Sequence, residues 1–91
     1  MENTFEVKDE QQAVVAATLI LCGEETPLGR DAGRLTVSKT IKCEGSGRIV
    51  LRYASGSEKS CTVGYVTPAA KQGFYYRATE KHCTVWNHFV S

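Results

Sequence analysis

The sequence predicts an α+β protein in which an N-terminal helix packs on an antiparallel sheet of about five strands, braced by disulfide bonds. Three observations lead to this prediction. An apolar run near the N-terminus is bounded by helix-capping residues, apolar and polar residues alternate from Arg34 onward, and four cysteines are spread through a chain of only 91 residues. A chain of this length has room for one core, so we expect a single domain over residues 1–91.

The predicted helix covers residues 10–22. Asp9 and Gln12 have the spacing of a capping box before the apolar run, and Gly23 closes the run. A buried strand over the same residues remains an alternative, because periodicity cannot distinguish a helix from a strand when every position is apolar. Residues 23–33, which contain three glycines and a proline, are predicted to form a loop.

From Arg34 onward the period of the pattern is two, which is typical of strands with one buried face. The predicted strands lie at about 34–43, 48–53, 61–65, 74–79 and 82–89. Residues 44–47 and 55–59 are expected to be hairpin turns. Residues 67–73 are expected to form a short helical turn that Gly73 closes.

The four cysteines are Cys22, Cys43, Cys61 and Cys83, and none belongs to a C-x-x-C pair. An even number of widely spaced cysteines in a short chain indicates a disulfide framework rather than a metal or redox site. We expect Cys22–Cys43 and Cys61–Cys83, because sequential hairpins would place the second pair at one end of the sheet.

Oxidised cysteines predict a secreted or extracytoplasmic protein. The segment before the apolar run is acidic rather than basic, so we interpret the chain as a mature domain with an added Met1 and its leader removed. The alternative is a reduced, β-rich intracellular domain within a larger assembly.

Composition excludes several function classes. The net charge is +1 with an isoelectric point near 7.7, so no basic field would attract nucleic acid. The apolar run is too short to span a bilayer. No phosphate-binding loop, dinucleotide fingerprint or nucleophile elbow occurs, and we expect neither a cofactor nor a metal.

The sequence offers only weak candidates for catalysis. His82, His88, Glu58 and Arg77 are the residue types that a ribonuclease uses as base, acid and cation. No local motif fixes their spacing, so we interpret them as surface residues and keep a small secreted hydrolase of ribonuclease type as the alternative function.

Aromatic and arginine residues give the stronger functional hypothesis. Alternation places Tyr75, Arg77, Arg52 and Arg48 on an outward face, and exposed tyrosine with arginine is typical of protein-binding surfaces. We therefore expect a small secreted, disulfide-stabilised binding protein of the effector, toxin or inhibitor type. Its partner would be a protein or a glycan.

Overall fold

The structure is a computed structural model that describes residues 1–90. These residues form two β-sheets that pack face to face, and they contain no helix. The predicted α+β fold, with a helix on a single sheet, is therefore wrong. The five strands predicted after Arg34 are present, and four additional strands occupy the region before it.

The chain alternates between the two sheets of a β-sandwich. The strands are β1 (Glu2–Asp9), β2 (Val14–Leu21), β3 (Glu24–Pro27), β4 (Gly29–Asp31), β5 (Arg34–Thr40), β6 (Gly45–Tyr53), β7 (Glu58–Val66), β8 (Gln72–Ala78) and β9 (Cys83–Val90). Sheet A has the order β4-β5-β1-β8-β9, and sheet B has the order β3-β2-β6-β7. Neighbouring strands are antiparallel except β1 and β8, which are parallel. The chain changes sheet after β1, β3, β5 and β7.

Inward-facing side chains of the two sheets form one hydrophobic core. Phe5 and Val7 of β1 are completely buried, as are Ile49 and Leu51 of β6 on the opposite sheet. The ring of Phe5 stacks on that of Phe74 in β8, with 5.3 Å between the ring centroids. The period-two pattern therefore sets which side chains of each strand remain available on the outer faces.

Residues 10–22 form a turn and strand β2 rather than the predicted helix, so the strand alternative is the correct one. Asp9 does cap the segment, but its carboxylate accepts hydrogen bonds from the backbone N–H groups of Ala13 and Val14 as a strand begins. Gln12 has a φ of 52°, which interrupts any right-handed helix. The outward-facing residues Ala16, Thr18 and Ile20 of β2 are half-buried, and two of the three are apolar, so both faces of the strand carry apolar side chains.

The loop predicted at residues 23–33 is also wrong, because this segment contains β3 and β4. Tight hairpin turns flank the two strands at Cys22–Gly23 and Ala32–Gly33, where all four residues have positive φ. Positive φ at both central residues is the requirement of a type I′ turn. Between β3 and β4 the chain passes from sheet B to sheet A at Leu28, which is buried and donates its N–H to the Ala17 carbonyl at 2.9 Å.

Two further turn predictions differ from the structure. Residues 67–73 contain one tight turn and then the start of β8, because the buried Asn3 side chain accepts the Gln72 N–H at 3.0 Å and holds it beside β1. Gly73 therefore lies inside a strand and closes no helix. Residues 44–47 do not form a hairpin, since they lead from β5 in sheet A into β6 in sheet B.

Both disulfide bonds are present with the predicted pairing. The Cα–Cα distance is 5.6 Å for Cys22–Cys43 and 5.3 Å for Cys61–Cys83. The predicted geometric reason was wrong, because Cys61 lies in β7 of sheet B and Cys83 begins β9 of sheet A. This bond therefore links the two sheets. A small compact domain with two disulfide bonds is compatible with an extracellular location.

Candidate functional site

The most prominent surface feature is an exposed cluster on the outer face of sheet A, which we call the aromatic patch. It consists of Tyr75 and Arg77 of β8 with Trp86 and Phe89 of β9. Trp86 is 51% exposed and Phe89 is 44% exposed. The Tyr75 ring centroid lies 6.2 Å from that of Trp86 and 5.8 Å from that of Phe89. Adjoining exposed aromatic rings on one sheet face indicate an interaction surface.

A β-bulge in β9 explains why Trp86 and Phe89 share a face. Tyr75 pairs with Asn87 and Tyr76 pairs with Val85, so Trp86 is the extra residue between them. Residues 86 and 89 would point to opposite faces of a regular strand, because their separation is odd. The bulge shifts the alternation by one residue and brings both rings to the solvent side.

A glycine beneath the rings allows them to lie against the sheet. Gly73 pairs with Phe89 across the strands. A Cβ atom at position 73 would stand 2.7 Å from Cζ of Phe89 and 2.8 Å from Cε2 of Tyr75. Any larger residue would therefore displace these two rings from their present positions.

Arg77, the cation of the aromatic patch, contacts both Glu10 and Trp86. Nε of Arg77 lies 3.1 Å from a carboxylate oxygen of Glu10, and the same oxygen is 3.9 Å from Nζ of Lys8. The Arg77 guanidinium carbon is 5.9 Å from the centroid of the Trp86 ring, within cation–π range. An arginine that is already ordered loses less conformational entropy when it binds a partner.

The four binding residues expected from sequence are not brought together. Tyr75 and Arg77 belong to the aromatic patch, whereas Arg48 and Arg52 lie on β6, on the outer face of sheet B. Both of these arginines are exposed, and neither forms an ion pair within residues 1–90. The sandwich core therefore separates the predicted set into two pairs.

An apolar cleft of about 340 Å³ opens between the edge strands β7 and β9. It is lined by Thr62, Gly64, Phe74, Tyr76, Val85 and His88. The Tyr76 hydroxyl donates to the Thr62 carbonyl at 2.9 Å and so ties β8 to β7. Burial raises the pKa of Tyr76 to about 12. The cleft has the size of a pocket for an apolar side chain or a small apolar ligand.

His88 stands at the rim of this cleft in a defined hydrogen-bonding role. Its ring stacks on Phe74 with 4.5 Å between centroids, and Nε2 lies 2.8 Å from the side-chain oxygen of Gln72. The Gln72 amide nitrogen donates to the Tyr65 carbonyl, which fixes the orientation of the amide. His88 therefore donates from Nε2 to a carbonyl oxygen, as expected of a histidine that supports structure.

The catalytic candidates are scattered over the molecule. Glu58 begins β7 and pairs with Arg52 in sheet B, whereas Arg77 lies on the outer face of sheet A. His88 is on the cleft side of β9, and His82 lies in the turn before β9. Within residues 1–90 these four candidates do not converge on one point, as phosphodiester cleavage would require of a proton donor, a proton acceptor and a cation.

Residues 1–90 contain no group of three or more side chains that could hold a metal ion, and none of them forms a helix that could cross a membrane. Comparison with protein-family models, with curated proteins and with solved structures gave no match.

Proposed function

We propose that this protein is a secreted binding domain whose aromatic patch recognises a partner protein. One observation carries the proposal: the half-buried ring of Tyr75 and the exposed rings of Trp86 and Phe89 form one contiguous surface beside Arg77, which pairs with Glu10. Tyrosine, tryptophan and arginine are the residues that most often dominate the energy of protein interfaces.

The surroundings of the patch favour a protein partner over a glycan. Three of the four side chains of the patch are aromatic, and the guanidinium of Arg77 is paired with Glu10 and lies over Trp86. The ion pairs Lys8–Glu10 and Arg34–Glu6 border the rings on the side of β1 and β5. An apolar centre with a polar rim is the common arrangement of a protein–protein interface.

The scaffold supports an extracellular binding role of the effector, toxin or inhibitor type. Two disulfide bonds each restrict the unfolded chain by closing loops of 21 and 22 residues. Such bonds typically add about 2–4 kcal/mol to the free energy of unfolding, which suits a small protein exposed outside the cell. A rigid sheet also presents the patch without the loss of entropy that a flexible loop would incur on binding.

Alanine substitution on the two outer faces tests the proposal. A Tyr75→Ala, Trp86→Ala variant removes two rings of the patch, and an Arg48→Ala, Arg52→Ala variant is the matched control on sheet B. Each protein is used to capture partners from the native source, and affinity is then measured with the captured, purified partner. We expect the patch variant to bind about 30- to 1,000-fold more weakly, as for central interface residues.

The control variant should bind the same partner normally, and thermal melts should show that both variants are folded. Weakened binding only in the control variant would move the site to sheet B. Retention of a partner by both variants, or capture of glycans rather than protein, would contradict the proposal.

A further inference from the structure

Strand β9 is the one edge of the described sandwich that lacks protection by charge or by short length. An edge strand exposes a row of unpaired backbone N–H and C=O groups, and proteins usually block such edges with short strands, charges or proline. The short edges are β3, which contains Glu24, Glu25 and Pro27, and β4, which contains Arg30 and Asp31. The long edge β7 contains Glu58 and Lys59.

By contrast, β9 has eight residues and no Asp, Glu, Lys, Arg or Pro. It pairs on one side with β8, and seven of its eight residues are exposed. These include the apolar side chains of Val85 and Val90, which are 56% and 59% exposed. The bulge at Trp86 distorts the first half of the strand, whereas the second half, Asn87–Val90, pairs regularly with β8. A regular, uncharged edge of this kind accepts another strand.

We propose that β9 pairs antiparallel with β9 of a second copy of this chain, through Asn87–Val90, and joins two A sheets across a two-fold axis. The proposal goes beyond the binding function of the aromatic patch and does not depend on it. Two features of β9 identify the segment that pairs with it: its unpaired backbone groups and its lack of charged side chains. The unpaired groups are backbone donors and acceptors at strand spacing, so the occupant is itself an extended strand.

The absence of charge further favours a second copy. In a two-fold pair every side chain near the axis lies close to its own copy, so a charged residue would meet a like charge. In Asn87–Val90 no residue is Asp, Glu, Lys or Arg, so the pairing brings no carboxylate, ammonium or guanidinium group against its own copy, and His88 is the one ionisable side chain of the segment. The four residues span about 13 Å at a rise of about 3.3 Å each, so the interface is small and the dimer should form at high protein concentration.

Pairing would also join the two aromatic patches. Trp86 and Phe89 lie on the same outer face as Tyr75, beside the proposed junction. An antiparallel pair keeps the outer faces of both A sheets on one side, so the two patches would form one longer surface with two equivalent binding sites. Such an arrangement increases the apparent affinity for a repetitive partner.

The decisive experiment uses opposite charges at Asn87, whose side chain makes no hydrogen bond within residues 1–90. Sedimentation of the wild-type protein from about 1 μM to about 1 mM, at low ionic strength, should show a monomer–dimer equilibrium. Asn87→Glu and Asn87→Lys should each be monomeric, because each places like charges near the axis. Their equimolar mixture should form a heterodimer at least as readily as the wild type. Ser60→Glu on edge strand β7, at an exposed position outside the cleft, is the matched control and should dimerise normally.

A measurement without substitution keeps the proposal testable if a variant folds poorly. Amide hydrogen exchange in Asn87–Val90 should slow as the wild-type concentration rises, because the outward N–H groups become paired. A wild type that stays monomeric throughout, exchange rates that do not depend on concentration, or variants that dimerise separately as well as together would overturn the proposal. Loss of the dimer only on substitution of Ser60 would assign the contact to β7 instead.

Discussion

Asp9 and Arg30 form an ion pair that joins the end of β1 to the edge strand β4. Nη2 of Arg30 lies 3.3 Å from Oδ2 of Asp9, whose side chain is only 1% exposed. The two oxygens of this carboxylate also accept the backbone N–H groups of Ala13 at 3.1 Å and Val14 at 3.2 Å. Arg30 donates in addition to the Val14 carbonyl. The buried charge is thus fully hydrogen-bonded and fixes the connection between the sheets.

Removal of Asp9 should be costly for this reason. We expect Asp9→Ala to lower the free energy of unfolding by about 3–5 kcal/mol, since two backbone N–H groups and a cation lose their partner. Arg30→Ala should cost less, about 1–3 kcal/mol, because the carboxylate keeps its two backbone donors. Urea denaturation measures both values. Arg34→Ala, which breaks an exposed pair with Glu6, should change stability by less than about 1 kcal/mol. Equal effects of Asp9→Ala and Arg34→Ala would contradict this role.

The disulfide bonds predict a protein without free thiols. Intact mass measurement should give about four hydrogens less than the reduced chain, and unreduced protein should not react with iodoacetamide even in denaturant. Proteolysis without reduction should recover peptides that link Cys22 to Cys43 and Cys61 to Cys83. Four alkylated cysteines in unreduced protein would disprove both the bonds and the extracellular assignment.

Stability should fall at alkaline pH because of Tyr76. Burial raises its pKa from 10.0 to about 12 in the folded state, so the folded protein favours the protonated phenol. The stabilisation of the folded state by the protonated Tyr76 phenol is fully present below about pH 10 and is lost between about pH 10 and 12. Over that range the free energy of unfolding should fall by up to about 1.4 kcal/mol per pH unit. Burial, reinforced by the Asp9 carboxylate, raises the pKa of Tyr53 in the same direction.

Urea denaturation of wild type and Tyr76→Phe at a series of pH values tests this dependence. At neutral pH the variant should be about 1 kcal/mol less stable, because it lacks the hydrogen bond to the Thr62 carbonyl. Above about pH 10 its stability should decline less steeply than that of the wild type. Parallel declines would show that ionisation of Tyr76 does not limit alkaline stability.

The sequence predicted local strand content better than topology. Alternation located the strands after Arg34 because strands such as β6 and β8 bury every second side chain, which produces a period of two. It failed for β2, because the outward-facing Ala16 and Ile20 are apolar like the buried residues between them and remove the polar half of the pattern. Asp9 does accept hydrogen bonds from backbone N–H groups, as a helix-capping residue would. These N–H groups belong to Ala13 and Val14, where a strand begins rather than a helix. Which sheet each strand joins depends on contacts that no local pattern records.

The candidate site was predicted in part. Alternation correctly separated Tyr75 and Arg77 from the buried Phe74 and Tyr76. It could not identify Trp86 and Phe89 as neighbours, because the bulge between them is set by pairing with β8. Arg48 and Arg52 entered the predicted surface because a single sheet was assumed. The division of the chain into two sheets placed them on the opposite face.

Gly73 should control the arrangement of the aromatic patch. In Gly73→Ala the new methyl group would lie 2.5–2.8 Å from ring atoms of Phe89 and Tyr75, so both rings must rotate away from the sheet. Because Phe89 is 44% exposed, the rings can move, and we expect a cost of only about 1 kcal/mol in the free energy of unfolding. The matched control is Gly64→Ala on β7, where an added Cβ meets no atom within 4 Å.

Trp86, the only tryptophan, reports on the patch directly. Its emission and its quenching by acrylamide should change in Gly73→Ala and stay unchanged in Gly64→Ala, because Tyr75 packs against Trp86 in the wild type. Affinity for the partner of the patch should fall in the first variant alone, while both remain folded by circular dichroism. If Gly73→Ala leaves tryptophan emission and partner affinity unchanged, the flat packing of Tyr75 and Phe89 over β8 is not what the partner recognises.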